Sequence, residues 1–122
     1  MADITVTGEV TWIARGVVRA TWTGFNATGV GTPLDAPTLP DKTVQVFGTF
    51  VSGGGTIIIE GENTATGANW VTLNDPQGDA LSFTTGTVAA ILENPARIRP
   101  RMSAQASTTD LSVVIIAQSM QR

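Results

Sequence analysis

The stretch TVQVFGTFVSGGGTIIIEG, residues 43–61, decides the fold class of this chain. In its first half Val44 and Val46 alternate with polar residues, the period-two pattern of a strand with one covered face. Ser52–Gly55 is a turn signal. The run Ile57–Ile59 is apolar on both faces, which predicts a return strand that is covered on both sides. We therefore predict a β-hairpin over residues 42–61.

Similar alternation recurs along the chain. Thr, Val and Ile supply 40 of the 122 residues, and β-branched side chains favour strands. Candidate strands cover 3–7, 10–13, 17–23, 70–74, 80–84, 97–103 and 111–118, while 87–92 fits one helical turn or a short strand. Asp75–Gly78 has the residues of a β-turn and predicts a second hairpin.

This spacing of short strands predicts a single all-β domain over residues 1–122, built from eight or nine strands as a β-sandwich or barrel. Of these two architectures we predict the antiparallel β-sandwich, in which two sheets pack face to face. The expected core consists of Val44, Val46, Ile58, Val71, Leu73, Leu81, Val113 and Ile115.

The composition argues against catalysis. The chain has no His, Cys or Tyr. Ser-His and Cys-His nucleophile pairs are therefore excluded, as are the common zinc ligand sets. We expect no enzyme activity, no metal and no cofactor. Charged residues make up 14%, which suits a surface that contacts other protein.

The beginning and the hydropathy of the chain bear on its location. The start has no basic or long apolar region, so we expect no secretory signal. Purely apolar runs such as Val113–Ala117 are too short to span a bilayer. The absence of cysteine fits a reducing compartment, and we expect the protein to stay in the cytosol in which it is made.

Residues 24–40 lack hydrophobic periodicity and contain Pro33, Pro37 and Pro40. Proline restricts the residue before it to extended geometry. We interpret this segment as an extended arm or loop that a neighbouring subunit or a larger assembly orders. The three prolines are therefore candidate contact residues.

Arg97, Arg99 and Arg101 form the sharpest candidate site. On a strand, residues two apart share a face, so the three guanidinium groups follow one another about 7 Å apart. Arginine is enriched at protein interfaces, and this arginine ridge predicts a docking surface for acidic protein. The alternative is a solvated face that protects a sheet edge from aggregation. Pro100 removes a ladder donor and would confine this strand to an edge or a bulge.

Other residue sets are weaker candidates. Four acids, Glu60, Glu62, Asp75 and Asp79, do not match a calcium loop, and we expect them to be solvated. Three tryptophans, Trp12, Trp22 and Trp70, could form a sugar-binding platform, although packing in a core or an interface is the favoured interpretation.

Four stretches carry a family resemblance: TVQVFGTFVSGGGTIIIEG (43–61), NWVTLNDPQGDALSFT (69–84), ILENPARIRPRMSA (91–104) and DLSVVIIA (110–117). Together they cover about half the chain, and they resemble the capsid decoration (cement) proteins of tailed bacteriophages. The resemblance implies a jelly-roll-like β-sandwich that attaches as an oligomer to the outside of the major capsid shell and reinforces it.

The expected partners are therefore the major capsid protein and further copies of this chain, as a dimer or trimer on the capsid exterior of a virion. A net charge of −3 gives no basic field for nucleic acid, and no membrane partner is expected. The alternative function is a carbohydrate-binding or host-adhesion module of a virion. The loop GENTATGANW (61–70) loosely resembles a loop of discoidin-like sugar-binding sandwiches, but lacks the Asp-Gly usual there.

Overall fold

A computed structural model describes residues 3–50, 55–104 and 109–119. These residues form two facing β-sheets around one hydrophobic core, which confirms the predicted all-β sandwich. The described ranges contain eleven strands, against the eight or nine predicted. They are β1 (Ile4–Val6), β2 (Gly8–Ala14), β3 (Val17–Phe25), β4 (Gly29–Gly31), β5 (Asp41–Thr49), β6 (Thr56–Glu62), β7 (Val71–Thr72), β8 (Ser82–Phe83), β9 (Thr87–Ile91), β10 (Arg97–Ala104) and β11 (Asp110–Gln118). No helix in these ranges is long and apolar enough to cross a membrane.

The order of the strands within each sheet differs from their order along the chain. The six-stranded sheet runs β1-β4-β10-β6-β7, with β8 also paired to β6. The five-stranded sheet runs β2-β3-β11-β5-β9 and is antiparallel throughout. One pair, β1 with β4, is parallel.

The hairpin predicted for residues 42–61 is wrong. β5 pairs with β11 and β9, whereas β6 pairs with β10, β7 and β8 in the other sheet. The chain therefore crosses between the sheets after β5. Alternation identifies each strand and its covered face, but it does not identify the neighbour. Residues 51–54, which include most of the predicted turn, lie outside the described ranges.

The second predicted turn is confirmed. Asn74 and Ala80 form an antiparallel bridge. Gly78 N donates to Asp75 O at 2.9 Å, and Asp75 Oδ1 accepts from the backbone N of Gln77 and of Asp79, both at 2.9 Å. Asp75 thus holds the turn through its own side chain. Residues 87–91, ambiguous in the sequence, are a strand.

Most of the expected core is confirmed. Val44, Val46, Leu73, Leu81, Val113 and Ile115 are all buried. Two members are misplaced: Ile58 lies half-buried on the outer face of β6, and Val71 is 66% exposed on the edge strand β7. A hydrophobic residue in a strand need not be covered where the strand ends a sheet, because the facing layer no longer reaches it.

The interpretation of residues 24–40 as an arm that needs a neighbour is corrected. The segment contributes β4, and Leu34 exchanges two backbone hydrogen bonds with Ile98 of β10, at 2.7 and 3.0 Å. Leu34, Ala36 and Leu39 belong to the core cluster. The apolar residues are irregularly spaced because the segment bends between short contacts, and it packs on its own domain.

Candidate functional site

The arginine ridge exists, but its strand lies inside a sheet rather than at an edge. β10 lies between β4 and β6. Ile98, Pro100 and Met102 are buried, while the alternate arginines face outward, as the period-two pattern predicts.

Pro100 is tolerated inside the sheet because the hydrogen-bond ladder between β10 and β4 is interrupted at this residue. Ile98 donates its N–H to Leu34 on the β4 side, and Pro100, two residues on, presents its N atom in the same direction. The pairing with β4 resumes only at Arg101 and Met102. Of the two placements predicted from Pro100, the sheet edge is wrong, while a register shift against β6 does occur nearby, between Met102 and Ala104. The missing proline donor falls in the gap on the β4 side.

Every arginine of the ridge is paired with a carboxylate from β6. Arg97 Nη2 lies 2.6 Å from Glu62 Oε1, and Arg99 Nε lies 2.7 Å from Glu60 Oε1. Arg101 Nε lies 3.1 Å from the other oxygen, Glu60 Oε2. Two carboxylates thus serve three guanidinium groups. Because β6 and β10 run antiparallel with Arg97 opposite Glu62 and Arg99 opposite Glu60, the register brings these charges together.

Trp70 completes the cluster. The Arg99 Cζ atom lies 4.1 Å from the centre of a Trp70 ring, and the Arg97 Cζ atom lies 5.2 Å from it. These distances are within the range of cation–π contacts. We call Glu60, Glu62, Trp70 and the three arginines the arginine–carboxylate cluster. The cluster covers the outer face of β6, so this face is shielded from water without a second sheet above it.

Glu62 is the most tightly held member. Its Oε1 atom accepts from Arg97 Nε, Arg97 Nη2 and Gly67 N, and its Oε2 atom accepts from Asn69 N and the Thr64 hydroxyl. Burial by itself would raise the pKa of Glu62, but these hydrogen bonds, that from Arg97 foremost, lower the pKa to about 2. The carboxylate therefore anchors the loop 63–69.

The expectation that Glu60 and Glu62 are solvated is wrong. Both residues are buried, and both accept bonds from arginine. Sequence alone gave one usable signal: glutamates alternate on one strand and arginines on another. Asp75 and Asp79 lie in the turn after β7, with Asp79 exposed. Within the described ranges no cluster of acidic residues could hold a metal ion.

Pairing with the two glutamates reduces the positive charge that the arginine ridge can offer to a partner. Three arginines and two glutamates leave a net charge of +1, and the side chains of Arg97 and Arg99 are mostly buried. Arg101, with a side chain 36% exposed, retains the most accessible guanidinium group. The cluster stabilises the sheet, and its accessible part is smaller than the sequence suggested.

The candidate prolines lie in different places. Exposed Pro33 precedes Leu34, whose bridge partner Ile98 lies between Arg97 and Arg99 in β10. Exposed Pro37 uses its carbonyl to accept from Asn94 Nδ2 at 2.9 Å, and Pro40 lines a separate concavity next to Lys42. The fold therefore brings only Pro33 to the ridge.

Lys42 fixes the segment that contains these prolines. It is the only lysine of the chain and is buried, and its Nζ donates to Asn94 Oδ1. Since Asn94 also donates to Pro37, a short hydrogen-bonded chain joins β5 to residues 33–40. Burial away from water lowers the pKa of Lys42 to about 8. Sequence reasoning overlooked this residue.

The tryptophans do not form a platform. Trp22 is buried, with Nε1 donating to Thr32 O at 2.9 Å. It packs so closely that a Cβ atom at Gly31 would lie 2.7 Å from its ring. Trp70 lies under arginines, and Trp12 is exposed on the far edge of the other sheet. The favoured interpretation of Trp22 as a core residue is confirmed.

An open groove of about 420 Å³ borders the cluster. Amide and carboxylate side chains line it together with exposed Val71. Its polar groups already have internal partners: Asn63 Oδ1 accepts from Ala96 N at 2.7 Å, and Glu93 accepts from the backbone and the side chain of Asn74, both at 2.8 Å. These hydrogen bonds outweigh the effect of burial and lower the pKa of Glu93.

Large apolar side chains on the surface are the feature that sequence reasoning missed. Across the described part of the chain they are Val10, Trp12, Ile13, Phe47, Val71, Val88 and Leu92. Three of them fall within four consecutive positions of β2. The signal in the sequence was the near-continuous apolar stretch Val10–Ile13, which has no clean alternation.

No family model and no curated protein sequence matches this chain. Solved structures with the same fold do exist. The SPBc2 prophage-derived protein YomS matches with a TM-score of 0.63 at 10% identity, over 89% of this chain and 100% of YomS. A cupin domain from Bordetella pertussis Tohama I matches with a TM-score of 0.52 at 14% identity, over 98% of this chain and 99% of that domain. At such low identity the likeness concerns architecture alone, and the chain has a cupin-like, jelly-roll β-sandwich fold.

Proposed function

We propose that this protein is a structural component of a bacteriophage particle, a decoration protein that binds the outside of the major capsid shell and reinforces it. The observation that carries the proposal is the character of its surface. Large apolar side chains are exposed, most of them on strands, in a chain with only 14% charged residues. Such surfaces suit extensive contact with protein.

Two further observations support a phage setting. Four stretches of the sequence resemble tailed-phage decoration proteins, and the fold is shared with a prophage-derived protein. The absence of His and Cys supports a role without catalysis. Reinforcing a shell requires no catalytic centre, since the burial of apolar surface between the proteins supplies the stabilisation.

The outer face of the six-stranded sheet is our candidate for the shell contact. It presents Arg99 and Arg101, and Pro33 precedes Leu34, which is bridged to Ile98 of the same strand. Because Arg101 is the most accessible arginine of the ridge and shares its glutamate with Arg99, it can bond an acidic group on the shell without dismantling the cluster.

Co-sedimentation with undecorated shells tests this contact. We expect Arg101→Ala to weaken attachment, and Arg101→Lys to restore it only in part, because lysine keeps the charge but loses the planar fork. Arg19→Ala is the matched control, since Arg19 is an exposed arginine on the other sheet. Wild-type binding by Arg101→Ala would remove the ridge from the contact.

The copy number in purified virions tests the function itself. A decoration protein should be present in hundreds of copies, and its removal should destabilise the capsid. Gel densitometry of purified particles measures the first quantity, and thermal disruption of stripped particles measures the second. A few copies located at the tail would contradict the proposal.

The second candidate is a carbohydrate-binding or host-adhesion module. The groove beside the loop 63–69 favours it, because amide and carboxylate groups bond sugar hydroxyls. The internal partners of Asn63 and Glu93 leave few of these groups free. Binding to immobilised glycans that Asn69→Ala abolishes would support this function instead.

A further inference from the structure

The strand β2 is an unprotected sheet edge. It ends the five-stranded sheet, and among the residues described it pairs with β3 alone. Natural proteins usually blunt an edge with proline, lysine or a short strand. β2 has seven residues and contains neither proline nor lysine, and every residue from Glu9 to Ala14 is exposed. Its register shift against β3 lies at the end of the strand, between Trp12 and Ala14, and leaves Gly8–Trp12 regular. Its open side can therefore accept another strand.

The apolar side chains of β2 face the core side of the sheet but lie uncovered. Val10 pairs with Ala20 and Trp12 with Val18, and both β3 residues are buried. Val10 is nevertheless 55% exposed and Trp12 is 65% exposed. They border a concavity of about 240 Å³ whose other walls include Leu34 and Leu39. The apolar inner face of the five-stranded sheet thus extends to β2, where Val10 and Trp12 are left exposed.

The charges at the two ends of β2 are complementary to each other. Glu9 lies near its start, and Arg15 follows its end. Neither forms an ion pair with another residue of the described ranges. A strand with opposite charges at its ends is self-complementary when two copies run antiparallel about a two-fold axis.

One register satisfies all of these groups. With the axis at Thr11, Val10 lies opposite Trp12 of the second copy, and Trp12 lies opposite the second Val10. Aromatic and β-branched residues are favourable cross-strand pairs, as are two threonines. Glu9 of each copy then lies toward the end of the second strand, which Arg15 follows, so opposite charges approach one another at both ends of the pair.

We propose that β2 is a dimer interface, where two copies of this chain pair antiparallel about Thr11 and join their five-stranded sheets into one continuous sheet. The apolar strip of Val10 and Trp12 is then covered by the same strip of the second copy. The inference goes beyond attachment to a shell. It is tested on the purified protein without shells, so either proposal can fail without the other.

Light scattering coupled to size-exclusion chromatography measures the mass. We expect twice the chain mass for the wild type, and roughly a tenfold or greater rise in the dimer dissociation constant for Trp12→Lys. Val88→Lys is the matched control, because Val88 is 63% exposed on β9, the opposite edge of the same sheet. It should leave the mass unchanged. A wild-type protein with the mass of one chain, or a Trp12→Lys variant whose dissociation constant over a dilution series equals that of the wild type, would overturn the proposal.

A single cysteine tests the register. The chain has none, so Thr11→Cys places one thiol beside its own copy across the axis. Cβ atoms of opposite residues lie about 4.5–5.5 Å apart, close to the separation that a disulfide bridges. We expect cross-linked dimers under mild oxidation for Thr11→Cys and none for Thr23→Cys, which lies exposed on β3 between two strands. Equal cross-linking of both variants, or none with Thr11→Cys, would refute pairing about Thr11.

Discussion

At the scale of single residues, the buried charges determine what the chain tolerates. Glu60 bonds two arginines whose side chains are 19% and 36% exposed. An exposed ion pair contributes under about 1 kcal/mol, whereas breaking a fully buried one costs about 3–5 kcal/mol. The Glu60 pairs lie between these limits, because their carboxylate is buried and their guanidinium groups are partly solvated.

Glu60→Gln should therefore lower the free energy of unfolding by about 2–3 kcal/mol. The substitution keeps the shape of the side chain but leaves Arg99 and Arg101 without a counter-charge. Urea unfolding followed by tryptophan fluorescence measures the loss. Asp79→Asn is the control and should change stability by less than about 0.5 kcal/mol, since Asp79 is exposed. Equal effects of the two substitutions would show that the cluster does not stabilise the fold.

Lys42 should make stability rise with pH on the alkaline side. Its pKa is about 8 in the folded protein and 10.5 ordinarily, so between these values the unfolded chain binds more protons than the folded one. Stability then increases from pH 8 to pH 10.5, by up to about 3 kcal/mol. The chain has no Tyr, no Cys and no second Lys, so no other side chain has its ordinary pKa in this window.

Urea unfolding at a series of pH values measures this slope. Lys42→Met retains the length of the side chain and removes the titrating group, so its stability should be flat over the same window. A wild-type curve without a rise would contradict the effect of burial on Lys42.

At the scale of elements, residues 24–40 show how a segment without periodicity becomes part of a core. Leu34 is buried and bridged to β10, so Leu34→Ala should cost about 2–5 kcal/mol of stability. Thr38→Ala, at an exposed position of the same segment, is the control. Chemical denaturation of the two variants measures the difference, and similar midpoints would mean that the segment contributes little to the core.

Hydrogen exchange of the isolated protein gives a second measure of this segment. The amides of Leu34 and Leu39 donate to backbone carbonyls of Ile98 and Ala36. We expect their protection in the free protein to match that in assembled particles. Strong protection that appears only on assembly would restore the view that a neighbour orders residues 24–40.

At the scale of the whole molecule, the acid limit of stability should depend on Glu62. Its pKa is lowered to about 2, so the stabilisation that it gives is complete above its ordinary value of 4.5 and is lost as the pH falls toward 2. Thermal unfolding between pH 5 and pH 2 should show a shallower decline for Glu62→Gln than for the wild type, whereas Asp79→Asn, at an exposed turn position, should keep the wild-type decline. Parallel curves for all three proteins would assign acid unfolding to other groups.

The sequence by itself determined the all-β class, most of the strands and the covered face of many of them. It did so because side chains alternate across a strand, and alternation is read from adjacent residues. The arginine ridge and the Asp75–Gly78 turn were predictable for the same local reason. Val71 and Ile58 were misassigned because alternation says which residues share a face, not whether another layer covers that face.

Only the tertiary structure decided which strands are neighbours. Arg97 meets a glutamate 35 residues away, and Arg99 meets one 39 residues away. The sheet that each strand joins is fixed by the packing of the whole core, which no local pattern encodes. The predicted hairpin failed for this reason, and the predicted free ridge became a network of ion pairs. The exposure of Val10 and Trp12 on β2 likewise depends on the tertiary structure, because alternation does not show that this face is left uncovered.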